Sequence, residues 1–82
     1  MTAVPESVRA VRVPILEELL PFYRLCADES LVHTVVVATI KLDDELFALA
    51  CRRALTHGEH RNPIREILEA AADLRRQASA KA

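Results

Sequence analysis

The chain has no tryptophan, one tyrosine, two phenylalanines and a single glycine in 82 residues. Without large aromatics, any core must be assembled from Leu, Val, Ile and Ala. With only Gly58, no glycine-rich loop can cradle a phosphate, and no P-loop, GxGxxG, GxSxG or HExxH pattern occurs. An enzyme is therefore not expected. Two cysteines, Cys26 and Cys51, could staple a secreted fold, but the opening Met1-Thr2-Ala3-Val4-Pro5-Glu6 lacks the basic head and apolar stretch of an export signal. No uncharged run approaches the roughly 20 residues that a bilayer span requires. These absences point to a reduced, cytoplasmic protein with buried thiols and no membrane association. Net charge is only −1, so no global basic field advertises a nucleic-acid partner. Residues 1–36 sum to −2 and residues 37–82 to +1, an asymmetry that permits DNA binding without requiring it.

What is abundant is apolar material, 51% of the residues. A chain this short buries a modest share of its surface, and small apolar-rich chains usually resolve the excess by self-association. A homodimer or higher oligomer is the first expectation.

Along the chain, the alternation Val-Arg-Ala-Val-Arg-Val within Ser7 to Val13 reads as a short strand. Pro14 then suits a first helical position, and Ile15, Leu16, Leu19, Leu20, Tyr23 and Cys26 recur at helical spacing. Pro21 predicts a kink or a division into two helices. The stretch Leu31–Leu42 is dense in β-branched residues, with Ala38, Ile40 and Leu42 alternating against Val37, Thr39 and Lys41. This favours a strand over about 35–42. The same residues also plot as one wide apolar arc of a helix running from Ser30 to His57 and ending at Gly58. Periodicity alone leaves both readings open. Next, Asp43 is placed to cap a helix whose inward stripe is Leu46, Leu49, Ala50 and Ala54, with Phe47 flanking it. Asn62-Pro63 is a strong start signal for a last helix carrying Ile64, Ile67, Leu68, Ala71, Leu74 and Ala78. Residues 1–6 and 79–82 read as loose ends.

Strand, capped helix, glycine turn, capped helix is an order with a precedent. The run Thr39-Ile40-Lys41-Leu42-Asp43-Asp44-Glu45-Leu46 resembles the strand-to-helix junction of ribbon-helix-helix repressors. Gly58, followed by Arg61-Asn62-Pro63-Ile64-Arg65-Glu66-Ile67, resembles their second turn and helix. The resemblance covers about residues 35–77 and rests on order and spacing, since no single motif in it is specific. It implies a mainly α, intertwined dimer of residues 31–82, with 1–30 as an N-terminal helical extension. A two-stranded ribbon would enter the major groove of duplex DNA, with Val37, Thr39 and Lys41 facing the bases. Arg61, Asn62, Ile64 and Arg65 would contact phosphates around the N-terminus of the last helix. The implied function is a small dimeric transcriptional regulator or antitoxin-like protein.

The competing expectation is an all-α three-helix bundle with a long central helix over 30–57. It would serve as a protein-binding adaptor, chaperone or inhibitor that does not bind DNA. In either case residues 8–27 are the segment expected to meet a protein partner. Cys51, His57 and His60 are the only plausible soft ligands for a metal, and ordinary positions in a helix and a turn account for them equally well. No cofactor is expected.

Overall fold

The structure, a computed structural model, describes residues 4–80. Of the ends expected to be loose, residues 1–3 and 81–82 lie outside it, whereas Glu6, Ser79 and Ala80 belong to helices. Four helices make up the chain: α1 (Glu6–Leu19), α2 (Glu29–Ala38), α3 (Asp44–His57) and α4 (Pro63–Ala80), with a 3-10 turn over Leu20–Tyr23.

No strand occurs among the described residues, which overturns the ribbon-helix-helix expectation. The all-α alternative fits, although its central rod is divided into α2 and α3 by a break at 39–43. The valine-rich segment coils because three of its valines, Val32, Val35 and Val36, stand at i, i+3 and i+4 and are buried together. Their burial outweighs the few tenths of a kcal/mol by which each β-branched residue disfavours a helix. Asp28 starts α2, its Oδ1 accepting the Leu31 amide at 2.7 Å. Thr39 ends it: the side chain is fully buried and its hydroxyl donates to the Val35 carbonyl at 2.8 Å.

Residues 8–13 are helical as well. The apparent alternation there hides a helical face of Val8, Arg12, Leu16 and Leu19, in which an arginine fills the position where periodicity needs an apolar residue. Pro14 lies inside α1, and its ring points to the exposed side. At Pro21 the α-helix tightens into the 3-10 turn, which Arg24 closes with a left-handed φ of 59°. The Leu25 amide then reaches back to the Leu20 carbonyl at 3.2 Å.

The later start signals hold. Asp43 Oδ1 accepts the Leu46 amide at 2.7 Å, and Asn62 Oδ1 accepts the Arg65 amide at 3.1 Å. α3 packs along α4 through small buried side chains, Ala50 and Ala54 on one and Ala70 and Ala71 on the other, which allow close approach. α1 packs on α3 and α2, and α2 touches α4. Leu16, Leu19 and Leu20 join Val32, Val35, Phe47 and Ile67 in one core cluster, so the N-terminal segment supplies part of the only core described. In α3 Phe47 is fully buried whereas Leu49 is 45% exposed, the reverse of the expected stripe. Leu68 and Ala78 likewise face outward, and Cys26 is an exposed thiol, not a buried one. No described helix is long and apolar enough to cross a membrane.

Candidate protein-binding groove

The residues expected to read bases do not form a row. Val37 is half-buried on α2 beside a shallow hollow, Thr39 is buried and bonded to its own helix, and Lys41 is exposed in the following turn. With Val37 and Thr39 helical or capping a helix, the ribbon that would have carried them into a major groove is gone.

The expected phosphate site is filled from within. The Arg61 and Asn62 amides donate to Glu66 Oε2 at 2.8 and 3.0 Å, while the His60 amide and the Tyr23 hydroxyl donate to Glu66 Oε1 at 3.0 and 2.9 Å. Partial burial by itself would raise the Glu66 carboxyl. The backbone donors and the tyrosine outweigh it and hold the group below the usual carboxylate range. Burial and the bond to Glu66 push the Tyr23 hydroxyl well above its ordinary value. The side chain of Arg61 pairs with Glu59 at 3.6 Å and that of Arg65 with Glu69 at 3.0 Å, while Ile64 is half-buried against the core. The α3–α4 loop is thus a closed electrostatic unit, with an internal carboxylate where an external anion would sit.

The candidate metal ligands are not brought together: no group of three His, Cys, Asp or Glu residues suited to a metal occurs among the described residues. The His60 ring meets the Leu55 carbonyl through Nε2 at 2.8 Å and stands edge-on to Tyr23. Burial pushes the Cys51 thiol up to about 12, against a smaller opposing effect of Arg12, so it stays protonated and a poor nucleophile.

A different feature emerges between α1 and α3. A cleft of about 240 Å³ opens there, with Ile15 and Glu18 on the α1 wall and Ala48, Arg52 and Leu55 on the α3 wall. Leu19 and Cys51 form its apolar floor. Val11, one turn before Ile15 on the same face of α1, is 41% exposed. At the other end Phe22 is 60% exposed, its ring centroid 6.5 Å from that of His60, which is itself bonded to Leu55. From Val11 to Phe22 the apolar edge runs about three helical turns, roughly 16 Å. Its α1 side falls inside the segment 8–27 expected to meet a partner. The α3 side was not anticipated, because Ala48, Arg52 and Leu55 lie outside the stripe of Leu46, Leu49, Ala50 and Ala54 that the pattern singled out. A signal was present in α1: Val11 and Phe22 fall outside the arc that Leu16, Leu19 and Leu20 bury.

The wall positions are fixed by Arg12, which is 2% exposed. Its Nη1 donates to the Thr39 carbonyl at 2.7 Å, its Nη2 donates to the Leu42 carbonyl, and its Nε lies 3.4 Å from Asp44 Oδ1. The guanidinium also lies 4.7 Å from the centre of the Phe47 ring. One side chain thereby ties α1 to the end of α2 and to the first turn of α3, setting the spacing of the two groove walls.

The chain matches no protein-family model, no curated protein and no solved structure. Its described residues form an all-α bundle with an apolar-floored cleft between α1 and α3.

Proposed function

We propose that this chain is a non-enzymatic protein-binding module that receives an apolar segment of a partner in the α1–α3 groove. The observation that carries the proposal is an apolar-floored cleft between two packed helices, with Val11 exposed one turn before Ile15 of its wall and Phe22 exposed beside the His60 that meets Leu55. Single exposed apolar residues are ordinary on any surface, but apolar side chains aligned along a preformed groove are the usual anchor points of a partner. A phenylalanine at such an edge provides large contact area at little entropic cost. The walls need no rearrangement, because Arg12 fixes α1 against α3 before any partner arrives.

Photo-crosslinking in the source cells tests this. With a photoreactive residue replacing Val11 or Phe22, both positions should yield one and the same adduct. The same residue at Glu17, exposed on the opposite side of α1, should not. Adducts of equal yield from all three positions, or none from the two groove positions, would remove the proposal.

A further inference from the structure

Resting on that reading of the groove, we infer that its occupant is an amphipathic helix of about three to four turns that carries opposite charges on its two flanks. Three observations lead there. The cleft itself, about 240 Å³, falls below the roughly 300–1,000 Å³ typical of small-molecule sites. Val11, one turn before Ile15, and Phe22, beside the His60 that meets Leu55, add exposed apolar surface outside its lining, so the site suits an elongated ligand better than a compact one. Its walls are helix ridges, with Val11, Ile15 and Glu18 at i, i+4 and i+7 on α1 and Ala48, Arg52 and Leu55 at i, i+4 and i+7 on α3. Ridges at that spacing accept the i, i+4, i+7 side chains of a third helix.

The lips then specify charge. Glu18 stands on the α1 lip and Arg52 on the α3 lip, both exposed, and neither belongs to an ion pair among the described residues. They line one cleft without closing on each other, which leaves each free for a charge on an occupant seated between them. A cation over Glu18 and an anion over Arg52 complete both pairs. One heptad before Arg52 the same face of α3 bears Glu45, so the preference for an anion is confined to the middle of the groove. A second copy of this chain is a poor occupant. Outside the groove its exposed large apolar residues are Leu25, Leu49 and Leu68, each alone on a separate segment, and none offers a three-turn stripe.

The test uses the full chain and a displayed library of helical peptides of about 15 residues. Each peptide carries a leucine stripe at i, i+4 and i+7, and its two central flank positions are drawn from Lys, Glu and Gln. Peptides with Lys on one flank and Glu on the other, in either order, should be enriched about fivefold over those with like charges. The order is immaterial because reversing the direction of the helix exchanges its flanks. Glu18→Lys should move the preference to Glu on both flanks, and Arg52→Glu should move it to Lys on both. Circular dichroism confirms that these exposed substitutions leave the fold intact. If stripe peptides bind with no flank preference, the charge inference falls and the groove reading stands. If they bind no better than controls with serine in the stripe, both fall. Sedimentation of the unliganded chain as a dimer that Val11→Lys disperses would assign the groove to a second copy and overturn the inference.

Discussion

Arg12 stands where α1 would ordinarily place a leucine, and at the break between α2 and α3 it supplies a donor to the Leu42 carbonyl and a second donor to the Thr39 carbonyl, which also accepts the Leu42 amide at 3.1 Å. Its carboxylate partner Asp44 is half-exposed, so the two members of the pair are not equivalent. Arg12→Met strands the Leu42 carbonyl, leaves the Thr39 carbonyl with the Leu42 amide alone and loosens α1, and should lower stability by about 3 kcal/mol. Asp44→Asn leaves the guanidinium its two carbonyls and the Phe47 ring, and should cost about 1 kcal/mol or less. Urea denaturation of the two variants measures the difference, and equal costs would mean that the ion pair, not the carbonyl bonds, holds α1. Glu66 gives a dependence on pH. Its carboxyl titrates lower in the folded chain than in the unfolded one. Its contribution is therefore complete above the ordinary carboxylate range and is lost as the pH falls through its depressed folded value. Glu66→Gln should flatten that part of the acid limb of the stability curve and leave the slope around neutral pH as before. Gly58 has an ordinary φ of −79°, yet a Cβ there would collide with the Glu66 carboxylate and the Ala54 carbonyl. Gly58→Ala should accordingly cost about 1–3 kcal/mol through displacement of Glu66 from its donors.

At the scale of elements, the sequence announced starts more clearly than states. Asp43 and Asn62 cap helices through the side-chain bonds their positions suggest, because a cap is a local event needing only three or four neighbouring residues. The state of residues 31–38 was not legible in the same way. Val35 and Val36 are helical through contacts with core residues distant in the chain, which no local pattern contains. The Val8–Val13 alternation misled for a related reason: Arg12 is buried only because Thr39 and Leu42, 27 and 30 residues away, offer carbonyls to it. Half of the groove was readable, since residues 8–27 were expected to meet a partner. The α3 wall exists only once α1 lies alongside it. Backbone carbon chemical shifts should show helix over 29–38, an interruption at 39–43 and helix again from 44. Extended-chain shifts over 34–42 would restore the strand and dismantle the groove with it.

For the whole molecule, the arrangement separates residues that make the bundle from residues that the bundle presents. Leu16 is fully buried in the core cluster, whereas Phe22, six positions later, is mostly exposed. If α1 and the 3-10 turn serve only to complete the core, substitutions at the two sites should differ in size but act on stability alone. If the groove is the working surface, they should act on different quantities. Leu16→Ala should lower stability by about 2–5 kcal/mol, a large part of what a chain of this size has, and reduce binding only as far as it unfolds the protein. Phe22→Ser should change stability by about 0.5 kcal/mol or less, since little burial is lost. It should nevertheless weaken the binding of a leucine-stripe peptide at least tenfold, the loss of about 1.4 kcal/mol expected of one aromatic anchor. Denaturation and titration of both variants on the same samples decide between the two pictures. A Phe22→Ser protein that binds as well as the parent would show that the exposed ring is incidental surface and takes no part in binding.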